Sequence, residues 1–420
     1  MVLLQYTCHF STLRFFCLHP SSPTPLRRRS FTVRSTSLPF PKHKATYHRE
    51  LEAAVDVVER ACRLCIDVKK SLFSDEGRVL DKNDQTPVTV ADFGVQALVS
   101  LELSKLFPSI PLVAEEDSAI LRSNNLVDSV ASAVADNATS GFGDEPLTHS
   151  DVLEAIDRGG KDAVVFCTKP ATYWSIISNQ VLDPIDGTRG FLRGSEALYV
   201  VGLALVVEGE IVLGVMGCPN WLEDKPCTST TSMQEYESNQ AGSGIIMVSH
   251  VGCGTWTKKL SSIQDTKTLD YWTRCSVDRC CLVHKASFCI PDSQTWESLP
   301  LSALFNAKND ADNIGDDEIL LVPTCCGSLC KYLMVATGRA SVFILRARAQ
   351  TIIKAWDHAV GIICVHEAGG KVTDWRGSPI DLDADQAERR AIFPSGGVLV
   401  TNDNLHHQIV EMISSRSSIF

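Results

Sequence analysis

Acidic residues stand at the ends of predicted strands, or at the starts of predicted helices, in four separate segments of this chain. The segments cover residues 89–92, 114–118, 181–188 and 356–361. In α/β proteins, strand ends and helix N-termini are where side chains from distant parts of the chain meet. Several carboxylates packed together repel one another unless a cation offsets their charge. We therefore predict that the fold brings these segments together around bound cations.

The segment around Asp183 and Asp186 carries the clearest pattern. An apolar run delivers Asp183, Pro184 stiffens the following turn, and Gly187 permits backbone that a larger residue would resist. The two carboxylates, three residues apart, are predicted to face one point. Oxygen-only ligands suit Mg²⁺ or Mn²⁺ rather than zinc. This segment therefore predicts a site for a small hard cation.

The last acidic segment places Asp357 in the first turn of a predicted helix over residues 356–367. An acid there suits the helix dipole, so a simple capping role is the alternative to a metal ligand. His358 and His366 lie on the same helix, but an oxygen-rich magnesium site does not need imidazole ligands. We interpret both histidines as structural.

Predicted strands and helices alternate along much of the chain after an opening helix over residues 48–72, which argues for an α/β layered fold. We divide the chain into an N-terminal α+β metal-binding domain (46–260) and a smaller C-terminal α/β domain (261–420) that supplies Asp357 and nucleotide contacts. Residues 122–150 mix Asn, Ser, Asp and Gly and are predicted to form a surface insertion.

The first 45 residues have the composition of a targeting segment. Residues 1–49 hold eight Lys or Arg and no Asp or Glu, with Ser, Thr and Pro throughout. The apolar run at residues 13–17 is broken by Arg14 and is too short for a secretory signal. Basic, acid-free composition is typical of an organelle transit peptide, so we predict import into the mitochondrion, with the chloroplast as the alternative.

The charge of the rest of the chain limits its partners. The whole chain carries −11, and removal of the basic leader leaves −19 for residues 50–420. So acidic a body is a poor general binder of nucleic acid. An anionic small-molecule substrate would need bound divalent cations to approach it. No apolar stretch nears the about eighteen residues of a membrane-spanning helix, so no membrane partner is expected.

The sixteen cysteines do not form a recognisable metal or disulfide pattern. Cys62 and Cys65 make a C-x-x-C pair, but it lies in the predicted opening helix, and no second pair stands at zinc-finger spacing. Buried or half-buried thiols are the favoured interpretation. A redox switch remains open at this point.

The acidic segments also carry a family resemblance. Their sequences, in chain order, are T-x-A-D ending at Asp92, E-E-D-S from Glu115, D-P-I-D-G-T from Asp183 and W-D-H-A-x-G from Trp356. This set resembles the lithium-sensitive, magnesium-dependent phosphatases related to inositol monophosphatase. Segments 81–92, 190–194 and 327–340 narrow the resemblance to the 3′(2′),5′-bisphosphate nucleotidases. The resemblance covers roughly residues 50–405 and is strongest to a plant organellar member.

That resemblance implies an α-β-α-β-α sugar-phosphatase-like fold and two or three Mg²⁺ ions in each site. Glu115, Asp183 and the carbonyl of Ile185 would hold one ion. Asp183, Asp186 and Asp357 would hold a second. Inhibition by Li⁺ is also implied.

Catalytic and substrate-binding roles follow from the same resemblance. Asp92 would assist a third, weaker metal site or orient water, and together with Thr188 it would align or deprotonate the attacking water. The residues implied to contact the nucleotide are Ser328, Lys331, Arg346 and Asp357. From general chemistry, the free N–H groups of the helix beginning at Ser328 could also cradle a second phosphate.

The expected reaction is hydrolysis of the 3′-phosphate of adenosine 3′,5′-bisphosphate, which gives AMP and phosphate. The 5′-phosphosulfate analogue is a further expected substrate. An inositol phosphate phosphatase with the same metals is one alternative. A non-catalytic nucleotide sensor is another, because residues 175–180 interrupt the family pattern before Val181. An insertion of even length preserves strand alternation, so Asp183 can still face the other acids. Oligomeric state is not predicted.

Overall fold

The computed structural model describes thirteen stretches of the chain, and the statements below concern these residues. They are 38–74, 79–81, 87–124, 126–138, 147–160, 178–193, 197–222, 244–260, 271–309, 318–322, 324, 327–348 and 351–415. All of them belong to one compact unit that extends from residue 33 onward. Most of the predicted leader lies outside the described residues.

Helices frame both halves of the described chain. The α-helices are α1 (His48–Ser74), α2 (Val90–Leu106), α3 (Ala119–Asn124), α4 (Val127–Asn137), α5 (His149–Asp157), α6 (Thr188–Leu192), α7 (Ser328–Ala336), α8 (Ala359–Glu367) and α9 (Asp403–Ser414). Short 3₁₀ turns occupy Lys42–Lys44, Val283–Lys285, Trp296–Ser298 and Pro300–Ala303. The sequence pattern predicts a second helix over residues 93–106 after the opening helix, and α1 and α2 match these predicted positions closely.

The strands form two large sheets and two short ribbons. They are β1 (Val79–Asp81), β2 (Pro87–Thr89), β3 (Leu112–Ala114), β4 (Ser178–Asp186), β5 (Val200–Val207), β6 (Glu210–Cys218), β7 (Ile245–His250), β8 (Gly254–Lys259), β9 (Thr273–Arg274), β10 (Ser287–Cys289), β11 (Asn306–Lys308), β12 (Glu318–Leu321), β13 (Val342–Arg346), β14 (Ile353–Lys354), β15 (Gly370–Asp374), β16 (Ala391–Ile392) and β17 (Gly397–Asn402). The seven-stranded sheet runs in chain order from β3 to β9, and the six-stranded sheet has the order β11-β12-β10-β13-β17-β15.

Side chains alternate between the two faces of each sheet, and this alternation builds the layers. On β5, Leu203 joins a core shared with α1, α2, α4 and α5, whereas Ala204 joins a core shared with α7 and α8. On β13, Phe343 faces α7 and α8, whereas Ile344 joins a third core with α9. The order is therefore helices, sheet, helices, sheet, helices, and the predicted α-β-α-β-α fold is confirmed.

The turn between β5 and β6 was readable from sequence. Glu208 and Gly209 both adopt left-handed backbone, with φ of 53° and 82°. Two such residues in succession make the hairpin turn whose twist matches that of the flanking strands. Apolar runs on either side of Glu208-Gly209-Glu210 predict two strands over residues 200–216, and β5 and β6 confirm them.

The segment predicted as a surface insertion, 122–150, contributes to the core in its described part. Helix α4 packs on α1 and α2, and its Val130 and Val134 are fully buried. The prediction of a surface addition is therefore wrong for α4. The segment is polar overall, but it carries two apolar side chains one helical turn apart. Two side chains at this spacing suffice to bury one face of a helix.

The folded body also begins earlier than the predicted leader boundary at residue 45. Phe40 and Ala45 are buried and belong to the core around α1. The two sheets divide the chain between residues 274 and 287, and the domain boundary near residue 260 remains a prediction. Within the described part of the chain, the helices are too short or too polar to cross a bilayer.

Candidate metal centre

Two neighbouring parallel strands bring the first pair of acids to one edge of the seven-stranded sheet. Strands β3 and β4 pair in parallel, with Ala114 opposite Leu182. The next residue on each strand is an acid, Glu115 and Asp183, and the carboxyl ends of parallel strands share an edge. Burial raises the pKa of Asp183, and the charges of Asp186 and then Glu115 raise it further.

A β-bulge turns Asp186 to the same side as Asp183. In a regular strand, residues three apart point to opposite faces. Here the partners of Asp183 and Asp186 on β5 are Gly202 and Val200, so three steps on β4 oppose two on β5. The extra residue shifts the alternation by one position, so both carboxylates face the same hollow. Pro184 fits the bulge because it has no N–H to leave unpaired.

The carboxylate of Asp186 also caps helix α7. Its Oδ1 accepts a hydrogen bond from the N–H of Ser328 at 2.9 Å, and its Oδ2 accepts bonds from the N–H groups of Leu329 at 2.7 Å and Cys330 at 3.3 Å. Charge-assisted bonds of this kind satisfy helix donors that would otherwise be unpaired. The expectation that these N–H groups are free for a phosphate is therefore wrong, because Asp186 occupies them.

Asp357 joins the pair from the turn before helix α8. That helix begins at Ala359, three residues later than predicted, so Asp357 precedes the helix rather than lying in its first turn. Carboxylate oxygens of Asp183, Asp186 and Asp357 lie within 4.8 Å of one another, the one such group among the described His, Cys, Asp and Glu side chains. Asp183 and Asp186 are buried, and Asp357 is half-buried. The predicted convergence of these three acids is present.

The electrostatics of this cluster favour a bound cation. Burial, followed by the charges of Asp186, Glu115 and Asp357, raises the pKa of Asp183 well above its usual value. Burial raises the pKa of Asp186 to about 7, although Lys331 and the α7 N–H groups oppose the shift. The Oδ1 atom of Asp183 is buried, and no side chain or backbone group of the described protein hydrogen-bonds to it. An orphaned carboxylate oxygen among like charges fits a hard divalent cation.

Asp92 and Thr188 meet beside the cluster. Asp92 caps its own helix: its Oδ2 accepts bonds from the N–H of Thr89 at 2.8 Å and from the Thr89 hydroxyl at 2.6 Å. The Thr188 hydroxyl lies 3.2 Å from Asp92 Oδ1 and 3.2 Å from the carbonyl oxygen of Ile185. Gly187, with φ of 89°, makes the turn that directs Thr188 there. The pairing of Thr188 with Asp92 is thus a geometric fact of the fold.

The residues predicted to bind substrate each make a bond within the chain. The ammonium of Lys331 is fully buried and donates to the carbonyl of Gly327 at 3.1 Å. Arg346 is half-buried, and its Nη1 donates to the carbonyl of Ser298 at 2.7 Å. Ser328 contacts Asp186 through its backbone. Lys331 is therefore close enough to Asp186 to offset its charge, and the nucleotide contacts remain predictions.

The two histidines of helix α8 are structural, as their surroundings show. His358 is buried, and its Nδ1 lies 2.8 Å from the hydroxyl of Tyr332. His366 Nε2 accepts a hydrogen bond from the N–H of Val372 at 3.2 Å. Burial lowers the pKa of His358 from 6.5 to about 3, so this imidazole is neutral at physiological pH.

This shift predicts a pH-dependent stability. Between pH 6.5 and 3 the unfolded chain binds a proton at His358 that the folded chain does not, so the free energy of unfolding falls as pH falls. In His358→Asn, an amide oxygen replaces Nδ1 as acceptor for Tyr332 and does not titrate. From pH 7 to 5, wild type should lose about 2 kcal/mol more than the variant in urea unfolding with EDTA. Equal losses in the two proteins would contradict the assignment.

The described cysteines are buried or half-buried, as the favoured interpretation predicts, except Cys281, which is exposed. They are free thiols, and Cys62 and Cys65 are completely buried. Burial raises the pKa of both thiols well above the usual value. The C-x-x-C pair is therefore part of the core around α1.

Two cations beside the cluster carry no recognisable sequence signal. Arg390 and Lys354 both lie over the ring of Trp356, at 4.7 and 5.4 Å from its centroid. Arg390 comes from a loop 33 residues after Asp357, and no motif marks it. Only the pairing of β14 with β16 brings this loop back to Trp356.

Comparison with known proteins places these features in a family. The model of the inositol monophosphatase family matches residues 178–418. A protein of Arabidopsis thaliana with the provisional name of a mitochondrial 3′(2′),5′-bisphosphate nucleotidase is 64% identical over 417 residues, which cover 99% of each chain. A 3′(2′),5′-bisphosphate nucleotidase of Oryza sativa is 32% identical and covers 87% of this chain and 94% of its own.

A solved structure supports the fold independently. The inositol monophosphatase of Thermotoga maritima superposes with a TM-score of 0.51 at 17% identity, over 88% of this chain and 99% of that one. At this identity the likeness concerns the fold alone. The family match over residues 178–418 and the relative at 64% identity show that this chain belongs to the inositol monophosphatase family.

Proposed function

We propose that this protein is a metal-dependent phosphatase that hydrolyses the 3′-phosphate of adenosine 3′,5′-bisphosphate to give AMP and phosphate. The observation that carries the proposal is the convergence of Asp183, Asp186 and Asp357 around an orphaned carboxylate oxygen. The names of the relatives at 64% and 32% identity support a bisphosphate nucleotide as substrate. The 5′-phosphosulfate analogue is a second substrate of the same chemistry.

Mg²⁺ is the proposed cofactor, in two or three copies. Asp183 would bind both main ions, with Glu115 and the Ile185 carbonyl on one side and Asp186 and Asp357 on the other. When bound, the ions would supply the positive charge that lets a phosphate dianion approach and the Lewis acidity that eases attack on phosphorus. The all-oxygen donor set supports magnesium over zinc.

Asp92 and Thr188 would handle the proton of the attacking water. Asp92 is held by two bonds from Thr89, so its Oδ1 is a fixed acceptor for the Thr188 hydroxyl. With its own proton directed to Asp92, Thr188 keeps a lone pair that can accept a hydrogen bond from water. The water oxygen forms the new bond to phosphorus, the bond from phosphorus to the 3′ oxygen breaks, and the leaving oxygen takes up a proton.

Removal of this hydroxyl should reduce the rate of turnover. In Thr188→Ala we expect kcat to fall by about 10²–10⁴-fold, the range of a lost acid–base contact. Mn²⁺ binding should stay at the wild-type level because Thr188 is not one of the proposed side-chain ligands. Thr188→Ser restores the hydroxyl and should recover most of kcat. Wild-type kcat in the alanine variant would remove Thr188 from the mechanism.

The nucleotide would lie between the cluster and the C-terminal sheet. Ser328, Lys331 and Arg346 are the proposed contacts, together with Asp357 at the cluster itself. Lys331 and Arg346 carry positive charge in an otherwise acidic body, which supports a role in binding the phosphate that is not cleaved. Their present bonds to the carbonyls of Gly327 and Ser298 fix where these charges stand.

A substrate panel tests the proposal. Residues 38–420, purified and freed of metal, would be assayed for phosphate release from adenosine 3′,5′-bisphosphate, its 5′-phosphosulfate analogue and inositol 1-phosphate, with and without Mg²⁺. We expect the highest kcat/KM for the bisphosphate and no release without metal. A higher kcat/KM for inositol phosphate would favour the inositol phosphatase. Calorimetric binding of the bisphosphate without turnover would favour the sensor.

We also propose that the protein acts in the mitochondrion. The basic, acid-free composition of residues 1–45 supports import, and the relative at 64% identity is named mitochondrial. A fluorescent protein fused behind these residues should colocalise with a mitochondrial dye in plant cells. Colocalisation with chlorophyll fluorescence would select the chloroplast instead.

A further inference from the structure

Arg390 joins three parts of the chain that surround the acid cluster. Its Nη1 donates to the carbonyl of Gly159 at 3.1 Å, and its Nη2 donates to the carbonyl of Glu115 at 3.4 Å. The same guanidinium lies over the ring of Trp356, at 4.7 Å from its centroid. Glu115 and Trp356 flank the cluster from the N-terminal and C-terminal parts of the sequence. One planar group therefore ties both sides together.

The acids around Arg390 do not explain its position. Glu388, Glu115, Asp117 and Glu116 all act on it electrostatically. Within the described chain, however, no carboxylate lies within the 4.0 Å of an ion pair with its guanidinium. Its donors go to backbone carbonyls instead. This is the arrangement of a group that fixes main-chain position, which a rigid fork of donors does well.

The loop that carries Arg390 is itself held in place. Asp385 accepts hydrogen bonds from the N–H groups of Arg390 at 2.9 Å and Ala391 at 3.2 Å. Ala391 then pairs with Lys354 in the β14–β16 ribbon, two residues before Trp356. Arg390 thus reaches the Glu115 carbonyl from an anchored backbone, so its contact can restrain Glu115.

We propose that Arg390 is a positioning residue that sets the spacing between Glu115 and Asp357 and thereby raises the affinity of the cluster for divalent cations. The inference rests on the proposed metal site but not on the identity of the substrate. Residues that hold metal ligands in position without contacting the metal typically contribute about 10–100-fold in metal affinity. Arg390 acts through the main chain of Glu115 and through the Trp356 ring, and it needs no contact with the cation.

The competing explanation is electrostatic and predicts the opposite sign. A positive charge beside a cation site repels the cation, so its removal should strengthen metal binding. A positioning role predicts weaker binding after the same removal. The direction of the change in Arg390→Gln therefore separates the two explanations.

Direct Mn²⁺ binding is the test. Free Mn²⁺ would be followed by electron paramagnetic resonance in titrations of wild type, Arg390→Gln and Arg390→Lys, without substrate and at fixed ionic strength. Arg389→Gln is the matched control. Its guanidinium lies 3.3 Å from Asn179 Oδ1 and 3.6 Å from Asp383 Oδ1, and it makes no bond to the Glu115 segment. Thermal unfolding in EDTA would report stability for every variant.

We expect Arg390→Gln to weaken Mn²⁺ binding by about tenfold or more. Arg390→Lys should lose nearly as much, because a single ammonium cannot bond both carbonyls and cover the Trp356 ring. Arg389→Gln should bind as wild type does. In turnover assays the loss should appear as a higher Mg²⁺ requirement, with kcat recovered at saturating metal.

Unchanged or tighter Mn²⁺ binding in Arg390→Gln would overturn the proposal, as would wild-type affinity in Arg390→Lys. An equal loss in Arg389→Gln would show that the loop as a whole, and not the Arg390 fork, supports the site. If Arg390→Gln does not fold, Arg390→Lys decides by the same criteria. Because these readouts need no substrate, the proposal can fail while the proposed reaction stands.

Discussion

Asp183→Asn should abolish turnover while it stabilises the metal-free protein. Asp183 lies at the centre of the cluster, and its amide analogue has the same shape but no charge to attract a cation. Loss of the ligand that is proposed to bind both ions should remove several kcal/mol of transition-state stabilisation, which corresponds to about a 1,000-fold or larger fall in kcat/KM. Phosphate release and Mn²⁺ binding would measure both losses.

The stability part of this prediction follows from the raised pKa of Asp183. A raised pKa means that the folded protein binds a proton more tightly than the unfolded chain, so its contribution to stability is lost as pH rises. At pH 7 in EDTA the buried carboxyl group of Asp183 therefore costs stability, and asparagine removes this cost. We expect the unfolding temperature to rise by ~2 °C or more in the variant.

Asp67→Asn is the control for this substitution. Asp67 is exposed and lies 3.6 Å from the exposed ammonium of Lys70, a pair that contributes little. Its activity and unfolding temperature should match wild type. If metal-free Asp183→Asn has a lower unfolding temperature than wild type, the Asp183 carboxylate does not destabilise the metal-free fold. If the variant keeps wild-type turnover, the carboxylate has no role in the reaction.

Gly327→Ala should displace the Asp186 carboxylate and so lower the activity and the stability of the protein. A Cβ atom at residue 327 would overlap the Asp186 carboxylate, which is held by the N–H groups of Ser328, Leu329 and Cys330. The carboxylate must then move by about 1 Å or more, a shift that can cost about 10²-fold in rate. Loss of the helix cap should also lower the free energy of unfolding by about 1–2 kcal/mol.

Gly252→Ala is the matched control for the Gly327 variant. Gly252 has φ of 73°, so alanine there strains the backbone, but a Cβ would meet no atom within 4 Å. This control should lose about 1 kcal/mol of stability and keep full activity. Wild-type kcat/KM and Mn²⁺ affinity in Gly327→Ala would show that Asp186 is not fixed by helix α7.

The order of the layers was open to prediction because it depends on local patterns. Alternating apolar runs and amphipathic helices specify sheets with helices on their faces, and they located α1, α2, β5 and β6. The buried helix α4 was misjudged because its apolar side chains are few and its neighbours are polar. Short strands such as β14 and β16 were missed, since two residues carry no periodicity.

The candidate site, like the fold, has some features that local sequence patterns predict and others that they do not. The order of residues along the chain places carboxylates at element ends, which is enough to predict that Asp183, Asp186 and Asp357 can meet. How they meet depends on the folded chain: a bulge in β4 turns Asp186 inward, and Asp186 binds the helix N–H groups that were predicted to be free for a phosphate. Arg390 belongs wholly to the tertiary structure. Its partners are backbone carbonyls of Gly159 and Glu115, and a carbonyl is the same group at every residue, so no sequence pattern marks such a contact.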